Sequence, residues 1–283
     1  MIVSNVDERT VEGFGAEWSA FTYEDADRAE LQEMFDAYFR LFPWEALPPN
    51  AEGADIGCGT GRWARLAAPR VGKLHCVDAS DDALAVARRN LAGAPNVELH
   101  HASVDALPFA PASLDFLYSL GVLHHVPDTA GAIRACARAL KPGAPMLLYL
   151  YYRFDNRPAW FRALWGASDA LRRGIARMPF RLRLVTSQAI AFGVYWPLAR
   201  TAKLIERTTG RVPGSFPLAA YRDRSMYVMR TDALDRFGTR LEQRFTRAEI
   251  RDMMARAGLE RVRIDEDGPV CWCAVGYRSA DAA

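Results

Sequence analysis

Apolar and polar residues along the chain follow two periods. Five runs of four to seven mostly apolar residues indicate buried strands, and three longer segments with apolar residues every three or four positions indicate amphipathic helices. Because these strands and helices alternate, we predict a parallel sheet covered by helices on both faces. The predicted strands are 53–56, 74–77, 97–100, 114–119 and 145–151, and the predicted helices are 62–68, 80–91 and 129–140.

A helical segment precedes this repeat. Apolar residues recur at helical spacing over 26–41, and Pro43 and the pair Pro48-Pro49 then interrupt the pattern. We therefore predict an N-terminal strap that contains a helix and lies outside the alternating repeat.

Another regular region closes the chain. Thr246 and Glu249 match a capping box, in which each side chain accepts a backbone hydrogen bond at the start of a helix. The helix is predicted to run through residue 257, and Gly258 is a typical helix stop. Two strands are predicted behind it, 261–265 and 270–277, joined by a hairpin turn at Asp267-Gly268.

Three glycines in alternation follow the first predicted strand. Asp55 precedes Gly57, Gly59 and Gly61, and side chains at these glycines would obstruct a tight turn or a bound ligand. The turn alone also fits the loose pattern of dinucleotide-binding proteins. Asp78 ends the next strand, where a carboxylate accepts hydrogen bonds from two ribose hydroxyls in nucleotide-binding proteins.

Further motifs follow in order: Ser103-Val-Asp-Ala-Leu-Pro-Phe109, then Leu114 to Asp128 with the sequence His124-His125-Val126, then Leu140-Lys-Pro-Gly143. With the glycine turn, they resemble the class I S-adenosylmethionine-dependent methyltransferases, in the branch that modifies small molecules and includes quinone and natural-product methyltransferases. The resemblance covers 52–152. It implies a methyltransferase that uses S-adenosylmethionine as its cofactor.

The same resemblance implies a fold and a domain organisation. The fold class is α/β, a Rossmann-like doubly wound and mostly parallel seven-stranded sheet with a terminal antiparallel hairpin. A largely helical cap is inserted after the fifth strand. The predicted domains are the strap at 1–50, the cofactor-binding core at 51–153 and 245–283, and the insertion at 154–244.

By resemblance, Asp55 and the backbone of the glycine turn lie beside the methionine part of the cofactor, and Asp78 binds its ribose. The alternative for Asp78 is a helix cap. The adenine motif departs from the commonest pattern, so we expect Ser103 to contact the adenine, with Asp105 as the alternative. The implied cofactor-binding residues are Trp18, Asp55, Gly57, Cys58, Gly59, Asp78, Ala79, Ser103, Val104, Asp105, Ser119 and Leu120.

His124 and His125 are the candidate catalytic residues, because a histidine near neutral pKa can take a proton from an acceptor. The alternative is that the pair only shapes its loop. Aromatic residues predicted on the acceptor side most often only pack against their neighbours. An arginine there can instead bind an anionic group of the acceptor. The candidate substrate-binding residues are Phe14, Tyr23, Tyr151, Tyr152, Trp160, Tyr221, Arg222, Arg224 and Tyr227.

The insertion is basic and aromatic. Residues 151–211 carry twelve Arg or Lys against three acids, and Trp160, Leu164 and Leu171 have helical spacing. We expect an amphipathic cap over the active site. Either its apolar residues pack against the core, or its surface admits a bulky hydrophobic or anionic acceptor, with a membrane surface as one source.

Composition narrows the remaining classes. A net charge of +2 is too small to argue for nucleic acid, and no basic cluster is interleaved with aromatic residues in the way that single-strand binders require. The first residues lack the features of a secretion signal, and five cysteines suggest reduced thiols, so we expect a cytoplasmic protein. Cys271 and Cys273 share one face of a strand and are interpreted as core residues. No metal site is predicted, and the sequence leaves the oligomeric state open.

Three functions from different classes remain at this point. The first is methyl transfer to oxygen, nitrogen or carbon of a small, hydrophobic or amphipathic acceptor, such as a natural-product, quinone-like or envelope-precursor molecule. The second is a protein that binds S-adenosylmethionine without transferring its methyl group. The third is a nicotinamide-dependent oxidoreductase, which the segments around Phe109 and His125 disfavour.

Overall fold

The computed structural model describes residues 5–24, 26–154, 157–213, 215–265 and 271–280. The chain divides into two compact units, one formed by Met1–Arg153 with Leu241–Ala283 and the other by Phe154–Arg240. The chain returns from the second unit to the first at Leu241, four residues before the boundary predicted at 245. The first unit contains the sheet, and the second is helical.

The sheet has seven strands in the order β3-β2-β1-β4-β5-β7-β6. Strands β1 to β5 are parallel, and β7 pairs antiparallel with both β5 and β6. This arrangement confirms the predicted fold class. The strands are β1 Glu52–Ile56, β2 Lys73–Asp78, β3 Val97–His101, β4 Phe116–Leu120, β5 Pro145–Tyr151, β6 Leu259–Ile264 and β7 Cys271–Arg278.

Ten α-helices lie in the part of the chain that the structure describes. Every residue of β4 is buried, as expected for a central strand of a sheet covered on both faces. The helices are α1 Glu8–Ala20, α2 Arg28–Tyr38, α3 Ala64–Ala67, α4 Asp81–Asn90, α5 Thr129–Ala139, α6 Ala159–Ile175, α7 Phe180–Ile190, α8 Trp196–Thr209, α9 Met226–Gly238 and α10 Arg247–Arg256.

Several element boundaries differ from the predictions. The first helix, α1, was not predicted as a helix; it begins at the side chain of Asp7, which accepts a hydrogen bond from the backbone N–H of Thr10. Helix α2 is shorter than the predicted 26–41, and α3 is a short helix inside the predicted 62–68. Strand β4 begins at Phe116, because Leu114 forms only an isolated bridge to Leu140.

The carboxyl-terminal elements follow the sequence patterns. The capping box at the start of α10 is confirmed, with the Thr246 hydroxyl and the Glu249 carboxylate each accepting a backbone hydrogen bond. Gly258 follows this helix in the left-handed conformation, at a φ of 77°. Cys273 is buried in β7, as its interpretation as a core residue requires. The predicted turn at Asp267-Gly268 lies outside the described residues.

The helical unit has its own small core. It is built around Ile175 of α6, Tyr195 of the π-helical turn Ala191–Tyr195, and Met229 and Phe237 of α9. Within the described residues, no helix is both long enough and apolar enough to cross a membrane.

Candidate functional site

The candidate site forms where the strand order of the parallel part of the sheet reverses, between β1 and β4. Strand β1 lies between β2 and β4, so the loops leaving β1 and β4 run to opposite sides, and ligands of open α/β sheets bind at such a point. The glycine turn leaves β1 here. Gly57, Gly59 and Gly61 have φ angles of 76°, 54° and 73°, and a Cβ at Gly57 would lie 2.3 Å from the Val122 side chain. The turn therefore requires glycine both for its backbone conformation and for its contact with the loop after β4.

Asp78 closes this turn from the end of β2. Its Oδ2 accepts a hydrogen bond from the Gly59 N–H at 2.9 Å, and its Oδ1 accepts one from the Ser80 N–H at 2.9 Å. Ser80, not Asp78, caps α4, through a bond from the Ala83 N–H. Helix capping therefore does not explain Asp78. Burial raises the pKa of this carboxyl, although the three backbone N–H groups facing it, from Gly59, Ala79 and Ser80, oppose the shift.

Asp55 is the second acid of the site and is almost entirely buried. Among the residues that the structure describes, none donates a hydrogen bond to its Oδ2. Burial raises the pKa of Asp55 to about 8, because the nearby Tyr118 hydroxyl and Arg62 only partly offset desolvation and the repulsion from Asp78. A cationic ligand group beside Asp55 would stabilise its carboxylate.

Helix α1 covers the glycine turn with aromatic side chains. A Cβ at Gly59 would lie 3.1 Å from Nε1 of Trp18, so the indole rests directly on the turn. The Arg62 guanidinium stacks on three rings, 5.3 Å from Trp18, 4.6 Å from Tyr23 and 4.7 Å from Trp63. It also donates a hydrogen bond to the Tyr23 hydroxyl. The cation and the rings fix the strap against the turn.

The two candidate catalytic histidines are buried side by side on a single turn after β4, Leu123–His125. Their ring centroids are 4.0 Å apart, and the His124 ring lies 4.0 Å from that of Tyr151. Phe14 of α1 packs on His125 at 5.0 Å. The structure therefore brings together four residues that the sequence predicted separately.

The histidines differ in their hydrogen bonds. His125 Nδ1 lies 2.6 Å from the Leu241 carbonyl oxygen, which can only accept, so Nδ1 carries the proton and the basic lone pair of the neutral ring is on Nε2. Neither ring nitrogen of His124 has a hydrogen-bond partner among the described residues. Burial, with the adjacent His125 and Arg244, lowers the pKa of His124 well below its usual value, so this ring is neutral.

The adenine motif forms a small polar network. The Ser103 hydroxyl donates to Asp105 Oδ1 at 2.5 Å, and the Asn5 N–H donates to Asp105 Oδ2 at 2.9 Å. These bonds lower the pKa of Asp105. The Ser103 oxygen keeps lone pairs for an amino group, while both Asp105 oxygens already have donors. Ser103 remains the predicted adenine contact.

Other predicted residues of the first unit have structural bonds of their own. The Ser119 hydroxyl donates to the Ile56 carbonyl at 2.9 Å, which ties β4 to β1 where their pairing ends. Tyr152 is buried next to Tyr151, and its backbone pairs with Phe245. The remaining predicted contacts, Cys58, Ala79, Val104 and Leu120, lie in the same loops and strand end.

In the helical unit, the predicted substrate residues lie on different elements. The Tyr221 hydroxyl donates to Asp232 at 2.9 Å, and the Arg222 Nε lies 2.9 Å from Glu206. Arg224 and Tyr227 flank the start of α9, and Trp160 is 52% exposed on α6. Their binding of an acceptor, and the covering of the active site by this unit, stay predictions.

Sequence reasoning missed three contributors. Arg62 directly follows the glycine turn, near which Trp18 and Tyr23 were predicted to lie. This position was the signal that could have identified it. Leu241 and Gln243 brace the histidine turn from a distant segment, with Gln243 donating to the Val126 carbonyl at 2.6 Å. Leu241 acts through its own backbone carbonyl, and Gln243 binds the backbone carbonyl of another residue. Such contacts with the backbone leave no pattern in the sequence.

Residues 54–148 match the family described as methyltransferase domain. The chain is 35% identical over 120 residues to the ubiquinone biosynthesis O-methyltransferase of Paracidovorax citrulli, covering 41% of this chain and 50% of that protein. It is 34% identical over 173 residues to the protein of the same name from Stutzerimonas stutzeri, covering 60% of this chain and 73% of that protein. The chain thus spans about half the length of the first of these relatives.

The fold has relatives among solved structures. The magnesium protoporphyrin IX methyltransferase of Synechocystis, solved with bound S-adenosylhomocysteine, superposes with a TM-score of 0.54 at 14% identity, covering 93% of this chain and 94% of that one. At this identity the likeness concerns the fold alone. Combined with the sequence relationship and the glycine turn, it identifies the chain as a member of the class I S-adenosylmethionine-dependent methyltransferase family.

Proposed function

We propose that this protein transfers a methyl group from S-adenosylmethionine to a hydroxyl group of a small, hydrophobic or amphipathic acceptor of quinone-like, natural-product or envelope-precursor type. The observation that carries the proposal is the buried pair His124 and His125 beside the glycine turn. The relatives are named for O-methylation in ubiquinone biosynthesis, which supports oxygen as the methylated atom. The family relationship gives no support to the two alternative functions.

The residues of the turn fit this cofactor. Asp55, beside the glycine turn, offers a buried carboxylate oxygen without a partner among the described residues, which suits a cationic group of the cofactor. We assign Asp55 to the cationic methionine part, Asp78 to the ribose and Ser103 to the adenine amino group. When bound, the cofactor supplies an activated methyl group on a sulfonium.

The histidines then supply acid–base chemistry at the acceptor. Nε2 of His125 would take the proton of the acceptor hydroxyl, whose oxygen would receive the methyl group that the bound cofactor supplies. The Leu241 carbonyl holds the His125 ring with this nitrogen as its basic atom. Neutral His124 offers one N–H donor and one lone pair to orient the acceptor. Positioning of this kind contributes up to about 7 to 11 kcal/mol to catalysis.

Transfer of radiolabelled methyl groups to a panel of catechols and hydroquinones tests the proposal. We expect His125→Ala to lower kcat about 100-fold or more, in the range of a lost general base, while its affinity for S-adenosylhomocysteine stays near that of the wild type. His124→Ala is expected to raise the acceptor KM as well. Normal turnover in both variants would mean that the two histidines only shape their loop. Binding of the cofactor by the wild type without any methyl transfer would favour the binding-only function.

The same proposal includes contact with a membrane surface, where an amphipathic acceptor resides. Residues 154–240 contain 16 Arg or Lys and 6 Asp or Glu, a net charge of +10. The large apolar side chains that are exposed in the described chain all fall between residues 160 and 204. Trp160, Leu164 and Leu171 are each more than half exposed on one face of α6. A basic unit with exposed apolar residues fits an anionic phospholipid surface.

Sedimentation with vesicles tests this contact. We expect the full chain to sediment with vesicles containing phosphatidylglycerol, to bind pure phosphatidylcholine weakly and to be released by salt. Trp160→Ser with Leu164→Ser should lower binding several-fold. Retention of full binding by this double variant, or equal binding to both kinds of vesicle, would refute the contact. The predicted cytoplasmic location is compatible with such peripheral binding and is itself untested.

A further inference from the structure

A second cluster of chemically active side chains lies on the sheet away from the glycine turn. His75 of β2 and Glu98 and His100 of the edge strand β3 point to the same face, because His75 pairs in register with Glu98 and side chains two residues apart share a face. Asp78 is three residues from His75 and therefore faces the other side. No metal site was predicted from the sequence at this or any other position.

The donor atoms of this cluster are close together. His75 Nδ1 lies 2.8 Å from His100 Nε2, and the Glu98 carboxylate lies 3.7 Å from each of these nitrogens. Ligand atoms that bind one ion at about 2.1 Å are about 3.0 to 3.4 Å from each other, at octahedral or tetrahedral angles. The separations found here bracket that range, so small side-chain movements convert the cluster into a metal site.

The hydrogen bonds around His75 orient it for this role. Its Nε2 lies 2.7 Å from Oε1 of Glu52, and this carboxylate holds the proton on Nε2 and the lone pair on Nδ1. A carboxylate on the far nitrogen of a metal-binding histidine is the usual outer partner of such ligands. The Phe109 ring packs against both histidine rings, at 5.2 and 5.9 Å, and limits their rotation.

Charge also favours a cation. Two carboxylates, Glu52 and Glu98, face a single lysine, Lys73, whose Nζ lies 2.9 Å from Glu98. Lys73 is 44% exposed, so its ammonium can turn into water when a cation takes its place on Glu98. Glu98 is 51% exposed, which gives an ion access from solvent.

We propose that His75, Glu98 and His100 form a binding site for Zn²⁺. Two imidazoles and one carboxylate are a donor set that suits this ion, and solvent completes the coordination. The ion would join the edge strand β3 to β2. The inference does not depend on the proposed methyl transfer.

Titration of the chelator-treated full chain with zinc chloride tests the site. We expect one Zn²⁺ per chain in a saturable isotherm and a thermal midpoint that rises with zinc concentration. Glu98→Gln and His100→Ala should each weaken binding at least about tenfold, and Glu98→Gln is nearly isosteric at a half-exposed side chain. Co²⁺ should give a visible absorption band that disappears in both variants.

His101→Ala is the matched control. This neighbouring histidine is half exposed, faces the other side of β3 and contacts Asp81 instead of the cluster. It should bind Zn²⁺ as the wild type does. The proposal is overturned by the absence of saturable binding, by equal affinity of Glu98→Gln and the wild type, or by an equal loss in His101→Ala.

Discussion

The proposed cofactor contact of Asp55 comes at a cost to the stability of the empty fold. Its carboxyl is buried, and its Oδ2 has no donor among the described residues. Ionisation of such a group without its ligand is unfavourable, which is why its pKa rises to about 8. The sulfonium and ammonium groups of the cofactor would supply the missing countercharge. Asp55 would therefore destabilise the empty protein and be needed in the loaded one.

Thermal unfolding of the cofactor-free Asp55→Asn variant tests that account. The unfolded chain loses the Asp55 proton near the ordinary pKa and the folded chain only near 8, so between these values the folded state binds more protons. The free energy of unfolding of the wild type therefore falls as pH rises through this window. Asparagine cannot ionise, so we expect the variant to gain in melting temperature relative to the wild type as pH rises. Parallel pH profiles would contradict the raised pKa.

Single site residues could be predicted where they belong to a sequence motif. Asp55, Asp78 and the histidine pair stand in motifs, and the structure brings them to one edge of the sheet. The difference between His124 and His125 was not predictable, because it depends on the Leu241 carbonyl, 116 residues further along the chain. The role of Arg62 depends in part on Trp18 and Tyr23, which belong to the N-terminal strap.

The glycine turn and the loop after β4 act as a pair of packed elements. Val122 fills the space that a side chain at Gly57 would need, and the histidines follow Val122 within three residues. In the proposed function, the turn would position both the cofactor and the candidate base. A disturbance at Gly57 should reach both.

Gly57→Ala tests this coupling, with Gly143→Ala as its control. Both glycines have a φ near 77°, which costs an L-residue about 1 to 2 kcal/mol, but a Cβ at Gly143 meets nothing within 4 Å. We expect both variants to lose stability and Gly57→Ala to lose more, together with its affinity for S-adenosylhomocysteine. Chemical denaturation and calorimetry measure the two effects. Equal losses in both variants would mean that Val122 does not pack tightly on the turn.

Strands and helices with a regular apolar pattern or a capping motif in their sequence were predicted well. The sheet strands and the capping box of α10 follow local patterns that need no tertiary information. Helix α1 escaped prediction because Gly13 and Gly15 lower its helix propensity, and Gly15 instead allows close packing, since a Cβ there would lie 2.6 Å from Ser80 Oγ. Tertiary packing, which outweighs propensity in short helices, is not visible in the sequence.

At the scale of the whole molecule, the two units of the chain carry net charges of opposite sign. The helical unit 154–240 carries +10, so the remainder carries −8 to give the net +2. Overall composition therefore conceals a basic unit and an acidic one. The seven-stranded architecture could be predicted through the family resemblance, whereas the helices of the insertion follow no repeat from which their arrangement could be inferred.

Calorimetric titration with S-adenosylhomocysteine tests the central claim most directly. We expect the wild type to bind one molecule per chain, NAD to give no comparable heat, and Asp78→Ala to lose measurable binding while retaining its circular dichroism spectrum. Wild-type protein that does not bind S-adenosylhomocysteine, or Asp78→Ala protein that binds it with unchanged affinity, would contradict the assignment of the cofactor to the glycine turn.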